Sequence, residues 1–392
     1  MVRRIWLRFW DGLRKSDLIL LLLCVMMTAF GCLMIASATS YTEVGPTRYL
    51  VIQILAIVIG VLCYVIFSSI DAEFFSEHRM AMVIFNAILL FLLYPFGVTI
   101  NGNRSWLDFP ILPFNIQAAE ICKITYILIM ASVMASHQSN VSSIPSVLHM
   151  CAHLIILVGL NMVISRDAGV SLIFVFIFIG MAFAGGLNLL WFLLAGGGVA
   201  VAFPILWNYL MDDYQRLRIE ALINPDVDPL GTGVRYDAMR SIRYLTGGGM
   251  VGQGLFEGNR TQGGSVYAQH TDFIFSTIGE ELGFVGCALV LVMFGLIVWR
   301  IIWVGTKSQD YMRRLICFGA ASALIFQIVV NVGMCMGVMP VIGLTLPFIS
   351  YGGSSVVTLF AMLGLVSGVY ARPAPASHER YIRPPYALRT YR

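Results

Sequence analysis

The sequence predicts an all-α polytopic membrane protein with about ten transmembrane helices, both termini cytoplasmic, and a large extracytoplasmic loop between helices 7 and 8. Two observations carry that prediction. Apolar residues make up 58% of the 392-residue chain and charged residues only 12%, with mean hydropathy +0.83, a balance foreign to soluble globular chains. The apolar residues also gather in runs of about twenty, the length an α-helix needs to cross a hydrocarbon core roughly 30 Å thick.

Those runs lie near 18–38, 49–70, 80–98, 116–135, 148–165, 168–187, 188–210, 273–303, 315–336 and 347–370. The first follows five basic residues between Met1 and Lys15 and is too long for a secretory core of roughly 7–15 residues. It reads as an uncleaved helix, with residues 1–17 a cytoplasmic N-terminus and 18–370 one membrane domain. Gly31-Cys32 is a poor lipoprotein cleavage site, because Phe30 precedes it.

Basic residues in short loops set the orientation. Arg79, Arg300, Lys307, Arg313 and Arg314 fall on the same side as the N-terminal cluster and the five arginines from Arg372 to Arg392, against only Arg48, Arg104 and Arg166 on the other. This puts 99–115 and the polar loop 211–271 outside, away from cytoplasmic nucleotides. The Pro- and Arg-rich residues 371–392 are expected to form a disordered basic cytoplasmic tail that meets anionic lipid.

Several function classes drop out. All eight cysteines lie in apolar runs and none forms a Cys-x-x-Cys pair, which argues against a disulfide framework or a thiolate metal site. No basic run is interleaved with aromatics, so no nucleic-acid partner is expected. Residues 226–237 carry acids at the first, third and twelfth places, but Pro229 and Leu230 spoil a calcium loop and a Pro/Asx turn fits better. His149 and His153 are spaced i, i+4 without an acidic neighbour and read as a helix-end pair. Gly196-Gly197-Gly198 has no following Lys-Ser/Thr and reads as close helix packing. Within the long loop, Tyr236 to Tyr244 fits a short amphipathic helix at the interface, and Gly247 to Gly254 is a close-approaching backbone.

The candidate chemistry gathers where that loop meets the eighth span. Asp272, Glu280 and Glu281 are three acids in ten positions at a membrane edge, and an ionisable group there is a functional hypothesis by default. On a continuous helix, Ser276, Gly279, Gly283 and Gly286 fall within about 40° of Asp272, giving a small-residue stripe. Glu280 lies close enough to reach it, whereas Glu281 faces away, towards a neighbouring helix. On the fourth span Glu120 and Lys123 share a face at i, i+3. They suit either a structural ion pair or a cation offered to a lipid headgroup. Arg104 and Trp106 put a guanidinium beside an indole at the surface, as an aromatic-belt pair or a rim for sugar and pyrophosphate. The last span opens with Pro347, Ser350, Gly352, Gly353 and Ser354, an irregular backbone tolerated at membrane depth only inside protein or beside a cavity.

Taken in order, Asn224-Pro225…Asp228-Pro229-Leu230-Gly231-Thr232-Gly233, the glycine-rich segment, His270-Thr271-Asp272-Phe273-Ile274-Phe275…Gly279-Glu280-Glu281-Leu282-Gly283 and Leu346-Pro347-Phe348-Ile349-Ser350-Tyr351-Gly352-Gly353-Ser354-Ser355 resemble the SEDS family (shape, elongation, division and sporulation) of RodA and FtsW proteins. The resemblance covers nearly the whole chain. It implies a peptidoglycan glycosyltransferase of the bacterial cytoplasmic membrane that polymerises lipid II at the outer face, alongside a class B penicillin-binding protein and other elongation or division proteins. By position, Asp272 matches the family's essential aspartate, Trp106 its loop tryptophan, and Glu120 and Lys123 the acid and lysine of a Gln-Pro-Ser-Glu-x-x-Lys motif. That motif reads Gln117-Ala118-Ala119-Glu120 here, and Ser105 separates Arg104 from Trp106. Ala268 stands where many members have glutamate, Arg166-Asp167-Ala168-Gly169 replaces Gln/Glu-Pro-Asp-Leu-Gly, and Arg240 stands in place of a glutamine.

The resemblance implies Asp272 as the base for the acceptor 4-hydroxyl, inversion at the anomeric carbon, and Lys123, Arg104 or loop arginines opposite the leaving pyrophosphate. A divalent cation, Mg or Mn, is implied by the resemblance only. His270, Thr271, Glu280, Pro347, Ser350 and Ser354 are expected around the substrate. A lipid II flippase and a non-catalytic scaffold for the transpeptidase are the competing readings. The wording around His270 to Gly283 favours an elongation role.

Overall fold

The computed structural model describes residues 10, 12–42, 45–100, 103–109, 114–211, 213–264, 266 and 268–372. The expected basic tail beyond 372 lies outside the described residues. The ten apolar runs appear as helices in the expected order: α1 (Leu18–Ala38), α2 (Gly45–Ser69), α3 (Arg79–Phe91), α4 (Ala118–Ser136), α5 (Ile144–Ile164), α6 (Ala168–Ala184) and α7 (Leu189–Ile205), with three more after the long loop. The loop itself holds α8 (Asp213–Ile223) and α9 (Tyr236–Gly248), and after it come α10 (Ile274–Lys307), α11 (Tyr311–Cys335) and α12 (Gly353–Ala371). Among the described residues nine spans are long and apolar enough to cross a membrane, and α6 is a shorter apolar helix. Between α3 and α4 lies a small antiparallel sheet, β1 (Gly97–Ile100), β2 (Asn103–Leu107) and β3 (Ile116–Gln117) in the order β1-β2-β3.

Helices α4, α11 and α12 are buried along most of their length, whereas α7 buries none of its described residues. The packing expected of Gly196, Gly197 and Gly198 is therefore not found: a methyl group at any of them would meet nothing within 4 Å. Helix α7 is apolar on every side, which suits a lipid-facing span.

One end of the bundle is tied by charge. Asp17 caps α1 by accepting from the Leu20 amide and takes two bonds from the Arg300 guanidinium of α10, at 2.8 and 3.1 Å. Its own amide donates to Ser367 of α12, and its carbonyl accepts from Tyr64 of α2. Arg313, at the start of α11, pairs with Asp71 at 3.0 Å. This is the end that the basic residues place in the cytoplasm.

The other end carries the long loop, and it holds the largest departure from the sequence reading. Helix α10 is not continuous: Gly283 has φ 66° and ψ −163°, a conformation open essentially to glycine alone. The arms fold back on each other, since a methyl at Gly279 would lie 3.4 Å from the Cys287 sulfur, although eight residues of straight helix span about 12 Å. The break frees backbone groups, and the glycine-rich segment takes them up. Gln253 and Gly254 amides donate to the Glu280 and Glu281 carbonyls, and the Phe284 and Val285 amides donate to the Gly249 and Met250 carbonyls. The arm from Phe284 to Lys307 still runs about 36 Å, enough to cross alone.

Candidate active site

Asp272 stands just before α10, whose N-cap is Phe273. It therefore does not head a helical stripe with Ser276, Gly279, Gly283 and Gly286, as a straight helix required. Those small residues receive the loop helix instead. The Ser276 hydroxyl meets Ser241 of α9 at 2.5 Å, and Gly279 lies under Leu245 and Gly248. The expected loop helix α9 packs onto the bundle over the first arm of α10, and the Ser241 hydroxyl also donates to the Cys335 carbonyl of α11. Before it, the Asp228 carboxylate gathers the Thr232, Gly233 and Arg235 amides into the expected Asx-type turn. These bonds, the Arg235 amide's foremost, hold its carboxyl below the usual range.

The backbone around Asp272 is held at three successive carbonyls. His270 accepts from the Tyr351 amide at 2.9 Å, Thr271 from the Ser350 hydroxyl at 2.5 Å, and Asp272 from the Asn331 side chain of α11 at 2.8 Å. Asn331 also donates to Leu344, and Ser350 accepts from the Leu346 amide. Pro347 is buried in that tight turn, and Phe348 beside it has φ 66°. The turn lies on α1 at Gly31, where a methyl would come within 2.7 Å of the Ile349 backbone. Counting along straight helices, Gly31 stands roughly 21 Å above Asp17 and Asn331 roughly 27 Å above Arg313. Asp272 therefore lies near the far rim of a core about 30 Å thick.

Asp272 is half-buried, and burial pushes its carboxyl up to about 6, with Asp237 of α9 and Asp167 adding to the rise and the Thr271 hydroxyl opposing it. Asp167 caps α6 through the Val170 amide and accepts from Ser105 and Gln117. Burial raises its carboxyl too, and Glu120 contributes. Asp237 is raised chiefly by burial, and its Oδ1 is enclosed without a hydrogen bond. Asp272 thus resists ionisation partly because of two neighbouring carboxylates, whereas Arg240 and Arg218 oppose the rise at Asp237.

The remaining expected residues fall into two groups. Trp106, half-buried on β2, pairs with Gln117 of β3, and the Gln117 amide donates to Ser354 at the head of α12. This joins sheet, α4, α12 and Asp167 into one wall beside Asp272. His270 stacks edge-on with Tyr49 at 5.1 Å, and its buried Nδ1 has no partner. Burial lowers its imidazole.

Glu280 and the Glu120–Lys123 pair are engaged elsewhere. Fully buried Glu280 accepts from the Arg260 and Thr261 amides and the Thr261 hydroxyl. It anchors the loop and does not face Asp272 as a substrate contact would. Glu281 reaches Ser37 of α1 and Gln262, in keeping with the expected neighbouring helix. Lys123 lies 2.7 Å from Glu120 with both side chains about 5% exposed or less, and Thr358 donates to the second Glu120 oxygen. In this conformation the pair is closed on itself, as an internal ion pair is.

Asn331 is not singled out in the sequence, Asp237 enters only as the last acid of a rejected calcium loop, and Asp167 only within the motif Arg166-Asp167-Ala168-Gly169. Asn331 had a signal, an amide in an apolar run that also carries Gln327; Asp237 looks like an ordinary loop acid until the chain folds. Among the described residues no three His, Cys, Asp or Glu side chains gather as a metal site, so the residues present do not by themselves hold the divalent cation that the resemblance implies.

The chain matches the FtsW/RodA/SpoVE model, described as "Cell cycle protein", over residues 17–373. It is 31% identical over 366 residues to the peptidoglycan glycosyltransferase MrdB of Escherichia coli, covering 92% of this chain and 95% of that protein. It is 34% identical over 370 residues to a probable peptidoglycan glycosyltransferase FtsW of Geobacter metallireducens, covering 92% and 96%. A solved chain from work on a peptidoglycan synthase complex that coordinates polymerization and crosslinking superposes with TM-score 0.77 at 28% identity, covering 94% of this chain and 99% of that one. The chain is a multi-pass membrane protein of the FtsW/RodA/SpoVE cell cycle family.

Proposed function

We propose that this protein is a peptidoglycan glycosyltransferase that polymerises lipid II into glycan strands at the outer face of the cytoplasmic membrane. The observation that carries the reading is Asp272: a half-buried carboxylate, raised to about 6, on a backbone pinned at three carbonyls by α11 and the turn before α12, at the membrane rim. A general base works best with a pKa near the operating pH. Asp272 takes the proton of the acceptor 4-hydroxyl while that oxygen bonds to the donor's anomeric carbon. The bond from that carbon to the pyrophosphate oxygen breaks, and undecaprenyl pyrophosphate leaves with the electron pair. Trp106 offers an apolar face for a sugar, and Arg104 and Arg166 supply positive charge for the leaving group. The names of the relatives support the activity, and the synthase-complex neighbour supports a class B penicillin-binding protein as partner. Service in elongation, in the manner of RodA, is favoured over division on the motif wording alone.

The test is polymerisation of purified lipid II by the purified full chain. Asp272→Asn is expected to lower the rate about 10²–10⁴-fold. Normal polymerisation by that variant would remove Asp272 as the base. No polymerisation by the parent chain, with or without a transpeptidase partner, would favour the flippase or scaffold readings.

A further inference from the structure

The histidine pair of α5 has no part in the site around Asp272, and the fold gives it company at the basic end of the bundle. His149 and His153 have ring centroids 5.1 Å apart, and His137, which caps the end of α4, stands edge-on to His149 at 5.2 Å. The charge of Arg79, the first residue of α3, acts on both α5 imidazoles. Three helices thus bring four nitrogen-bearing side chains together, all of them half-buried. Helix α4 runs 19 residues, or about 28 Å, from Ala118 beside the sheet to His137. The cluster therefore sits near the headgroups of the cytoplasmic side.

Among the described residues no carboxylate lies within ion-pair distance of any of the four. His137 donates through Nδ1 to the Val133 carbonyl at 2.9 Å. The His149 and His153 rings make no hydrogen bond among the described residues, so their N–H groups are available to a ligand. A guanidinium and imidazoles without an acid among them favour an anion. A metal is opposed by the Arg79 charge, and among the described residues no three His, Cys, Asp or Glu side chains are placed to hold one. Around α5, His149 and His153 stand about 140° and 180° from Ile144. They fall between the exposed stripe of Ile144, Leu148 and Ile155 and the buried Met150 and Leu157. Anionic polar groups at this cluster would have hydrocarbon running beside them.

We infer that Arg79, His137, His149 and His153 form a site for the phosphodiester headgroup of an anionic phospholipid of the cytoplasmic leaflet, with the guanidinium fork as its charged donor. The site is separate from Asp272 and stands or falls independently of the polymerase reading. The test places a photoreactive benzoylphenylalanine at the exposed Ala152 of the full chain, in phosphatidylcholine vesicles with equal mole fractions of phosphatidylglycerol and phosphatidylethanolamine. Illumination is expected to favour the phosphatidylglycerol adduct about fivefold, as one basic residue near a charged surface would. Arg79→Gln and, separately, His149→Gln should each bring the ratio towards one, and Arg79→Lys should keep most of the preference. Lys307→Gln, an exposed basic residue outside the cluster, should leave it unchanged. Equal labelling of the two lipids, indifference to both cluster variants, or an equal loss in Lys307→Gln would each overturn the site. Loss of the preference in excess inorganic phosphate would overturn the lipid as its occupant and assign the cluster to a free anion.

Discussion

At the scale of single residues, the behaviour of Asp272 follows from burial. Its carboxyl titrates near 6 when folded and near 3.9 when unfolded, so the unfolded state gives up its proton first. That stability contribution is complete below the unfolded value and is lost as pH rises through about 6. Polymerisation needs the charged form and has the opposite slope. Activity is expected to rise with pH through about 6, while Asp272→Asn removes that limb and raises the thermal midpoint in detergent at pH 7.5. A variant less stable than the parent at that pH would contradict the burial argument. The Glu120–Lys123 pair allows a separate check. Removing one partner of a buried pair costs about 3–5 kcal/mol, whereas replacing both with apolar groups is often tolerated. Glu120→Ala should sharply lower the thermal midpoint, and Glu120→Leu with Lys123→Met should recover most of it. Failure of the double variant to recover would point back to a headgroup role for Lys123.

At the scale of elements, the spans could be read from the sequence and the hairpin could not. Twenty apolar residues must become a helix in lipid because only that satisfies the backbone. A glycine inside such a run reads as a packing contact, and nothing local distinguishes Gly283, which reverses the chain, from Gly295, which meets nothing within 4 Å. The reversal depends on the Gly247–Gly254 segment arriving from the loop, a tertiary event. At Gly283 a methyl would come within 2.4 Å of the Gly252 nitrogen, on top of about 1–3 kcal/mol of backbone strain. Gly283→Ala should therefore abolish polymerisation and lower the thermal midpoint. Gly295→Ala should be neutral or stabilising by about 0.5–1 kcal/mol. Equal tolerance at both positions would refute the hairpin. The candidate site was legible in part for the same reason. Asp272 stood out because a charge at the edge of an apolar run is rare, and Trp106 because it matches the family's loop tryptophan, whereas Asn331 and Asp237 gain meaning only from distant segments.

At the scale of the whole molecule, the bundle is closed at its two ends by different means. The basic end is held by side-chain charge, with Asp17 joining α1, α2, α10 and α12. Asp17→Ala leaves Arg300 buried without its carboxylate, against only the Trp303 and Tyr370 rings, and should cost about 3–5 kcal/mol in unfolding measurements. Asp17→Asn keeps the cap and should cost less. An Asp17→Ala chain as stable as its parent would show that the ends are held elsewhere. The far end is held mainly by backbone carbonyls and amides, which leave no trace in a sequence. That difference has a practical result at the three carbonyls of His270, Thr271 and Asp272. Because main-chain atoms set their position, a new side chain at 272 inherits the same location, and chemically graded replacements there compare proton affinity and reach within an unchanged frame.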